Sequence, residues 1–176
     1  MALILALAAN VFAQNSQPFD FSAYGVKIEP DKRLIVVLAS LEAAGFETPL
    51  SEKGSDFRRR LRADLATLDP ELVGKMQYFV KQFRSRHAGD SEAELVAPFI
   101  SMAYTLTPVP DLSEPLRTTD LPGDLLEVLD YSPLVRQFYR SVLRTPDGNL
   151  TVGQRIDQYY KEYQEAGDRM RPSHEV

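Results

Sequence analysis

The chain has 176 residues, of which 44% are hydrophobic and 26% charged, which fits one globular domain with a core of ordinary size. It contains no cysteine, which excludes disulfides and thiolate metal sites. Its net charge of -5 at pH 7 argues against nucleic acid as a generic partner, because phosphate binding needs a positive surface.

Met1 to Ala13 carries no charged residue and holds the apolar run Leu3-Ile4-Leu5-Ala6-Leu7-Ala8-Ala9. It ends in Val11-Phe12-Ala13 before the polar Gln14-Asn15-Ser16-Gln17. This reads as the apolar core and cleavage site of a secretory signal peptide, too short for a stable membrane span. No Lys or Arg precedes the run, which implies a start upstream of Met1. The mature protein is expected to begin at Gln14, to lie in the periplasm or outside the cell, and to contain no membrane span. Residues 14–23 read as an irregular arm anchored by Phe19 and Phe21. Tyr24 to Glu29 alternates apolar and polar side chains, the pattern of a short extended segment, closed by Pro30.

The rest reads as helices. Asp31 caps an apolar helix over 34–44, apolar nearly all round and hence central, with Gly45 as its stop. Ser55 opens a second, with Phe57, Leu61, Leu65 and Leu68 at helical spacing. Asp69-Pro70 starts a third whose stripe is Leu72, Met76, Phe79, Val80 and Phe83, ending near His87. Ser91 and Glu94 form a capping box for a fourth, which Pro98 should kink or shorten. Thr107 to Pro122 carries prolines at 108, 110, 115 and 122, so it reads as a structured loop or lid ordered against something. A short helix follows through Leu125, Leu126 and Leu129. Ser132-Pro133 caps the next, assigned Leu134, Val135, Phe138, Val142 and Leu143. Thr145 to Asn149 is a turn, and a final helix over 152–166 presents Ile156, Tyr159, Tyr160 and Tyr163. The fold class is therefore mainly α: an irregular array of about seven helices with one short N-terminal extended segment. Residues 24–166 form the helical domain, and 167–176 are a polar tail or the linker into a further region.

Catalytic signals are sparse. His87 and His174 are the sequence's two histidines, and His87 reads as a helix-end residue suited to the dipole. No Gly-x-Ser-x-Gly elbow, phosphate loop or complete His-Glu-x-x-His is present. No catalytic, cofactor or metal residue is assigned, and no cofactor is expected. Asp120 and Asp124 could be a glycosidase pair, but they read better as the charged start of the short helix.

Charge is unevenly spread. From Arg58 to His87 there are eight Lys/Arg against three acids, and from Asp90 to Ser132 nine acids against Arg117. The blander explanation is mutual attraction within the fold: Asp111, Glu114, Asp120 and Asp124 would pair with arginines of 58–62 or 81–86. The sharper one is an anion-binding patch formed by Arg58, Arg59, Arg62, Arg84 and Arg86. Among the aromatic residues, Tyr160 and Tyr163 are the candidates for a sugar-stacking platform, and Tyr131, Phe138, Tyr139 and Tyr159 read as mostly core.

Three stretches carry a resemblance: Ile28 to Leu38 continuing to Leu41-Glu42-Ala43-Ala44-Gly45-Phe46, Asp56 to Leu65, and Tyr131 to Tyr139. Together they resemble the N-terminal region of large exported bacterial proteins of unknown function. That region is similar in turn to the helical part preceding the zinc helix of zincin-like metallopeptidases. The resemblance spans about 24–165 and its motifs are structural, so no catalytic residue carries over. It implies a fragment of a longer envelope protein; with no catalytic set in the chain, the function expected is that of a non-catalytic helical domain that scaffolds or binds at its start. The partner would be the rest of that polypeptide or another envelope protein. The alternative is the pre-catalytic half of a zinc metallopeptidase whose active-site helix lies beyond Val176. A third reading is a small sugar- or anion-binding domain.

Overall fold

A computed structural model describes residues 31–46, 55–115, 118, 120–146 and 148–170; of residues 55–58, 163, 164 and 166–170 it describes the backbone. The signal segment, the arm and the 24–29 extended segment lie outside the described residues. Within them the chain is mainly helical, as its periodicities require: α1 Lys32–Ala43, α2 Ser55–Leu65, α3 Pro70–Arg86, α4 Glu92–Thr105, α5 Gly123–Leu129, α6 Ser132–Arg140 and α7 Val152–Met170. A two-stranded antiparallel sheet, β1 Val142–Thr145 and β2 Gly148–Thr151, stands between α6 and α7.

At α1, α3 and α4 the caps act where the sequence places them. Asp31 Oδ1 accepts the Arg33 N–H at 2.9 Å and starts α1. Gly45, at φ 77°, lets the chain turn back: Phe46 N–H reaches the Leu41 carbonyl at 2.9 Å and Gly45 N–H reaches that of Glu42 at 3.0 Å. This double closure satisfies carbonyls that the helix end would leave unpaired, and it drops Phe46 into the core. Asp69 accepts the Glu71 N–H to start α3, and the Ser91–Glu94 box caps α4.

α1 is the hub, packing against α2, α3, α4, α6 and α7 through Val36, Val37, Ala39, Ser40 and Leu41. Beside it lies an aromatic cluster centred on Phe99, whose ring meets Phe83 and Tyr131 edge-on at 5.1 and 5.5 Å, and Phe46 and Phe79 at 6.3 and 6.5 Å. Edge-to-face pairs of this kind add about 0.5–1.5 kcal/mol each beyond their buried area.

Four expectations need correction. α4 is not shortened at Pro98, because the proline falls in its second turn, where one N–H is forfeited while the ring itself is buried in the core. Asp120 does not cap α5, whose N-cap is Pro122; Asp124 does lie in its first turn. Ser132 is not the cap of α6 but its first residue, where it is fully buried and donates its hydroxyl to Glu114. α6 stops at Arg140, because Ser141 is extended at φ -68° and ψ 147°. Val142 and Leu143 therefore sit in a strand, with Leu143 buried and Val142 exposed, as strand alternation demands.

In the described part of the proline-rich loop, Leu112 is fully buried in the core, and Val109 and Leu121 pack against it partly buried. Thr107 N–H donates to the Ser113 carbonyl, and Ser113 N–H donates to Thr107 Oγ1, both at 2.9 Å. This closes a ring that drives Leu112 to full burial at φ 48°. Arg136 of α6 holds the loop from outside, reaching the Leu112 carbonyl at 3.4 Å and Glu114 at 3.6 Å.

Candidate functional site

The α2–α3 turn, the end of α6 and the hairpin enclose a cleft of about 920 Å³. Its first wall is built locally: Thr67 N–H bonds to the Asp64 carbonyl and Leu68 N–H to that of Leu65, and the buried Leu68 pins the turn to the core. Thr67 then joins two elements. Its hydroxyl donates to the Asp64 carbonyl at 2.8 Å and accepts the Arg144 N–H at 2.9 Å, tying β1 to the end of α2. The opposite wall carries Arg140, Ser141, Val142, Arg144 and Asn149. A second hollow of about 390 Å³, lined by Pro133, Arg136 and Gln137, adjoins the cleft through Arg140 and Ser141, which line both.

Behind the first wall a buried polar knot fixes α2 to α7. Asp64 accepts Arg155 Nε at 2.8 Å and the Tyr159 hydroxyl at 2.5 Å. The guanidinium carbons of Arg60 and Arg155 each lie 4.7 Å from the Tyr159 ring centre. Burial, then the Asp64 hydrogen bond and charge, push the Tyr159 hydroxyl up to about 12. This keeps it a neutral donor, and it rigidifies the floor on which the cleft stands.

The cleft is electropositive. Arg140 and Arg144 are exposed, and among the described residues no carboxylate forms an ion pair with either. Asp69 lines the same cleft, but it is engaged at the N-terminus of α3 through the Glu71 N–H. Arg140 also occupies the last turn of α6, where a cation favours the helix dipole.

The arginines singled out in the sequence do not gather at this cleft. Arg62 pairs with Glu42, Arg84 with Glu92 at 2.6 Å, and Arg86 with Glu127 at 2.5 Å. Arg84 also lies over the Phe46 ring at 4.3 Å. Arg59 is exposed on α2, and the side chain of Arg58 lies outside the described residues. The expectation that the acids of the 107–122 loop and Asp124 pair with these arginines is corrected: the partners are Glu42, Glu92 and Glu127, while Glu114 turns to Arg136. Tyr160 is half-buried with Lys32 Nζ 5.5 Å from its ring centre, and the Tyr163 side chain lies outside the described residues. Arg140 and Arg144 escape the sequence reading because the helix is read on through Leu143 and the turn begins at Thr145. The available signal was the four-residue spacing of Arg136, Arg140 and Arg144.

His87 is the C-cap of α3, with its ring nitrogens 2.9 Å from Glu127 and 3.1 Å from Asp90. The Glu127 hydrogen bond, followed by that of Asp90, raises the imidazole above its ordinary 6.5. Among the described residues, no group of three or more His, Asp or Glu side chains is arranged to hold a metal ion. No described helix is long and apolar enough to cross a membrane. Comparison with protein-family models, curated proteins and solved structures finds no match.

Proposed function

We propose that this is a non-catalytic, exported helical binding domain, the N-terminal part of a larger bacterial envelope protein, and that it binds carboxylate-bearing ligands in the cleft beside Arg140 and Arg144. One observation carries the reading. In a chain with 25 acidic residues against 20 Lys and Arg, two arginines line one concave surface without a carboxylate partner among the described residues. Guanidinium groups recognise carboxylates through paired, planar hydrogen bonds, and that chemistry needs no general base, nucleophile or metal. The uncharged run Leu3 to Ala9 and the Ala13 exit support export, and the resemblance of 24–165 to exported bacterial proteins supports a place in a longer polypeptide.

The test is titration of the chain with a glutamate-rich peptide and with its lysine-rich counterpart, followed by fluorescence anisotropy at two salt concentrations. The acidic peptide binds, more weakly at high salt, and the double substitution Arg140→Glu with Arg144→Glu abolishes binding. Equal binding of both peptides, or binding untouched by the double substitution, defeats the proposal. Export is tested separately: expression behind an upstream basic start yields a product processed at Ala13.

A further inference from the structure

The hairpin next to the cleft has a phase that its hydrogen bonds fix. Val142 pairs with Thr151, Leu143 with Leu150 and Arg144 with Asn149. The Val152 N–H donates to the Ser141 carbonyl at 2.8 Å, so 141 and 152 face each other across the ladder. In an antiparallel pair, inward-bonded and outward-facing residues alternate. Leu143 therefore bonds to β2, while Val142 and Arg144 direct their backbone N–H and C=O groups away from it, into the cleft that both residues line. Arg144 shows this directly, since its N–H leaves the hairpin for the Thr67 hydroxyl. Thr67 already supplies at Arg144 what an incoming carbonyl would supply at Val142. No acceptor for the Val142 N–H is present among the described residues, and Val142 is 53% exposed.

We infer that the ligand of this cleft is an extended acidic peptide that adds to β1 as a short third strand, exchanging two backbone hydrogen bonds with Val142 and setting its carboxylates against Arg140 and Arg144. This rests on the cleft reading above and specifies its ligand. An unpaired strand edge supplies sequence-independent backbone bonds, and flanking side chains select the partner. The charge complementarity selects here. Two arginines flank the open edge, one on each side of Val142, while the one acid lining the cleft is engaged with α3. A strand also presents alternate side chains to one face, so an acidic residue at every second position keeps its carboxylates together on the arginine side.

The experiment uses the full chain and an N-acetylated peptide of alternating glutamate and valine, together with a set in which each peptide amide in turn is N-methylated. Strand addition predicts that methylation of one amide, the one that donates to the Val142 carbonyl, weakens binding about tenfold and that the other positions are tolerated. It also predicts that the Val142 amide is protected from hydrogen exchange when the peptide is bound. Val142→Pro removes the outward N–H without removing a ladder bond, and Ser141 already has the extended φ and ψ that a following proline demands. That variant should keep its helical circular dichroism and lose about tenfold in affinity. Binding that depends on Arg140 and Arg144 but ignores the N-methyl scan, with Val142 still exchanging freely, overturns strand addition and leaves the cleft reading standing. Competition by inorganic polyphosphate at equal charge concentration overturns it too, by showing a general anion site. Absence of binding by any acidic peptide defeats both readings.

Discussion

Tyr159 donates its hydroxyl to Asp64 at 2.5 Å across 95 positions of sequence, and Arg155 reaches the same carboxylate at 2.8 Å. All three belong to one buried knot between α2 and α7, with Asp64 7% exposed and Tyr159 2%. Removing the acceptor strands a buried hydroxyl and a part-buried cation together, so Asp64→Ala should cost about 2–4 kcal/mol. Tyr159→Phe deletes one hydrogen bond to a charged group and should cost about 1.5–3 kcal/mol. Urea denaturation measures both. A cost below 1 kcal/mol for Asp64→Ala would show that the knot is solvated rather than buried. The same knot gives a high-pH signature. Tyr159 ionises near 10 when unfolded and at about 12 when folded, so the folded state retains the proton longer. Its stabilisation is complete below pH 10 and lost between about 10 and 12, and Tyr159→Phe removes that loss.

His87 predicts a second pH window. Its folded value is raised, first by Glu127 and then by Asp90, so its contribution is complete below the ordinary 6.5 and disappears as pH rises through the higher folded value. Glu127 is lowered, first by His87, so its contribution is complete above the ordinary 4.5 and is lost as pH falls. The contact between the end of α3 and α5 is thus strongest between about 4.5 and 6.5. NMR titration should place the His87 imidazole above 6.5, and Glu127→Gln should return it toward that value. An unchanged midpoint in Glu127→Gln would assign the shift to Asp90 alone.

Much of this architecture was legible in the sequence because caps and helical stripes are local signals. Asp31, Asp69, the Ser91–Glu94 box and Gly45 each announce a boundary within four residues. The hairpin was not legible, because Val142-Leu143 continues the helical apolar spacing of Val135 and Phe138, and four-residue strands carry too little alternation to compete with it. The cleft shares that blind spot, since its wall from Arg140 to Asn149 spans the helix-to-strand change at Ser141. The charge runs were legible as mutual attraction but not partner by partner: Arg84 and Arg86 pair with Glu92 and Glu127 of the acidic stretch, while Arg62 finds Glu42 on α1, which the runs do not reveal.

Gly153 is buried in the first turn of α7, and a Cβ at that position would overlap the Tyr139 ring of α6. Alanine is the better helix former by about 1 kcal/mol, so an open site would gain from Gly153→Ala. Here the overlap should dominate, with a net loss of about 1–3 kcal/mol. Tyr139→Leu removes the ring, so the two substitutions together should cost less than the sum of the singles. A double-mutant cycle by denaturation reads the sign of the coupling, and strict additivity would show that the ring swings aside freely.

Leu112 gives the last prediction, because two opposing terms meet in one residue. Its side chain is fully buried, worth about 1.5–3 kcal/mol, while φ 48° places a branched side chain in the left-handed region, a conformation costing about 1–3 kcal/mol. Leu112→Ala keeps the unfavourable backbone and loses the burial, and it leaves a cavity where Arg136 and the Thr107–Ser113 ring hold the loop, so the loss should reach about 2–5 kcal/mol. Glycine normally lies below alanine by about 0.5–1 kcal/mol because of its freedom in the unfolded chain. At this position it alone is relaxed in the folded state, so Leu112→Gly should be at least as stable as Leu112→Ala. Denaturation midpoints of the two variants, measured side by side, decide the matter. If glycine falls below alanine by the ordinary amount, the left-handed turn at Leu112 carries no strain, and the loop is held by its hydrogen-bonded ring and Arg136 rather than by a residue forced into the core.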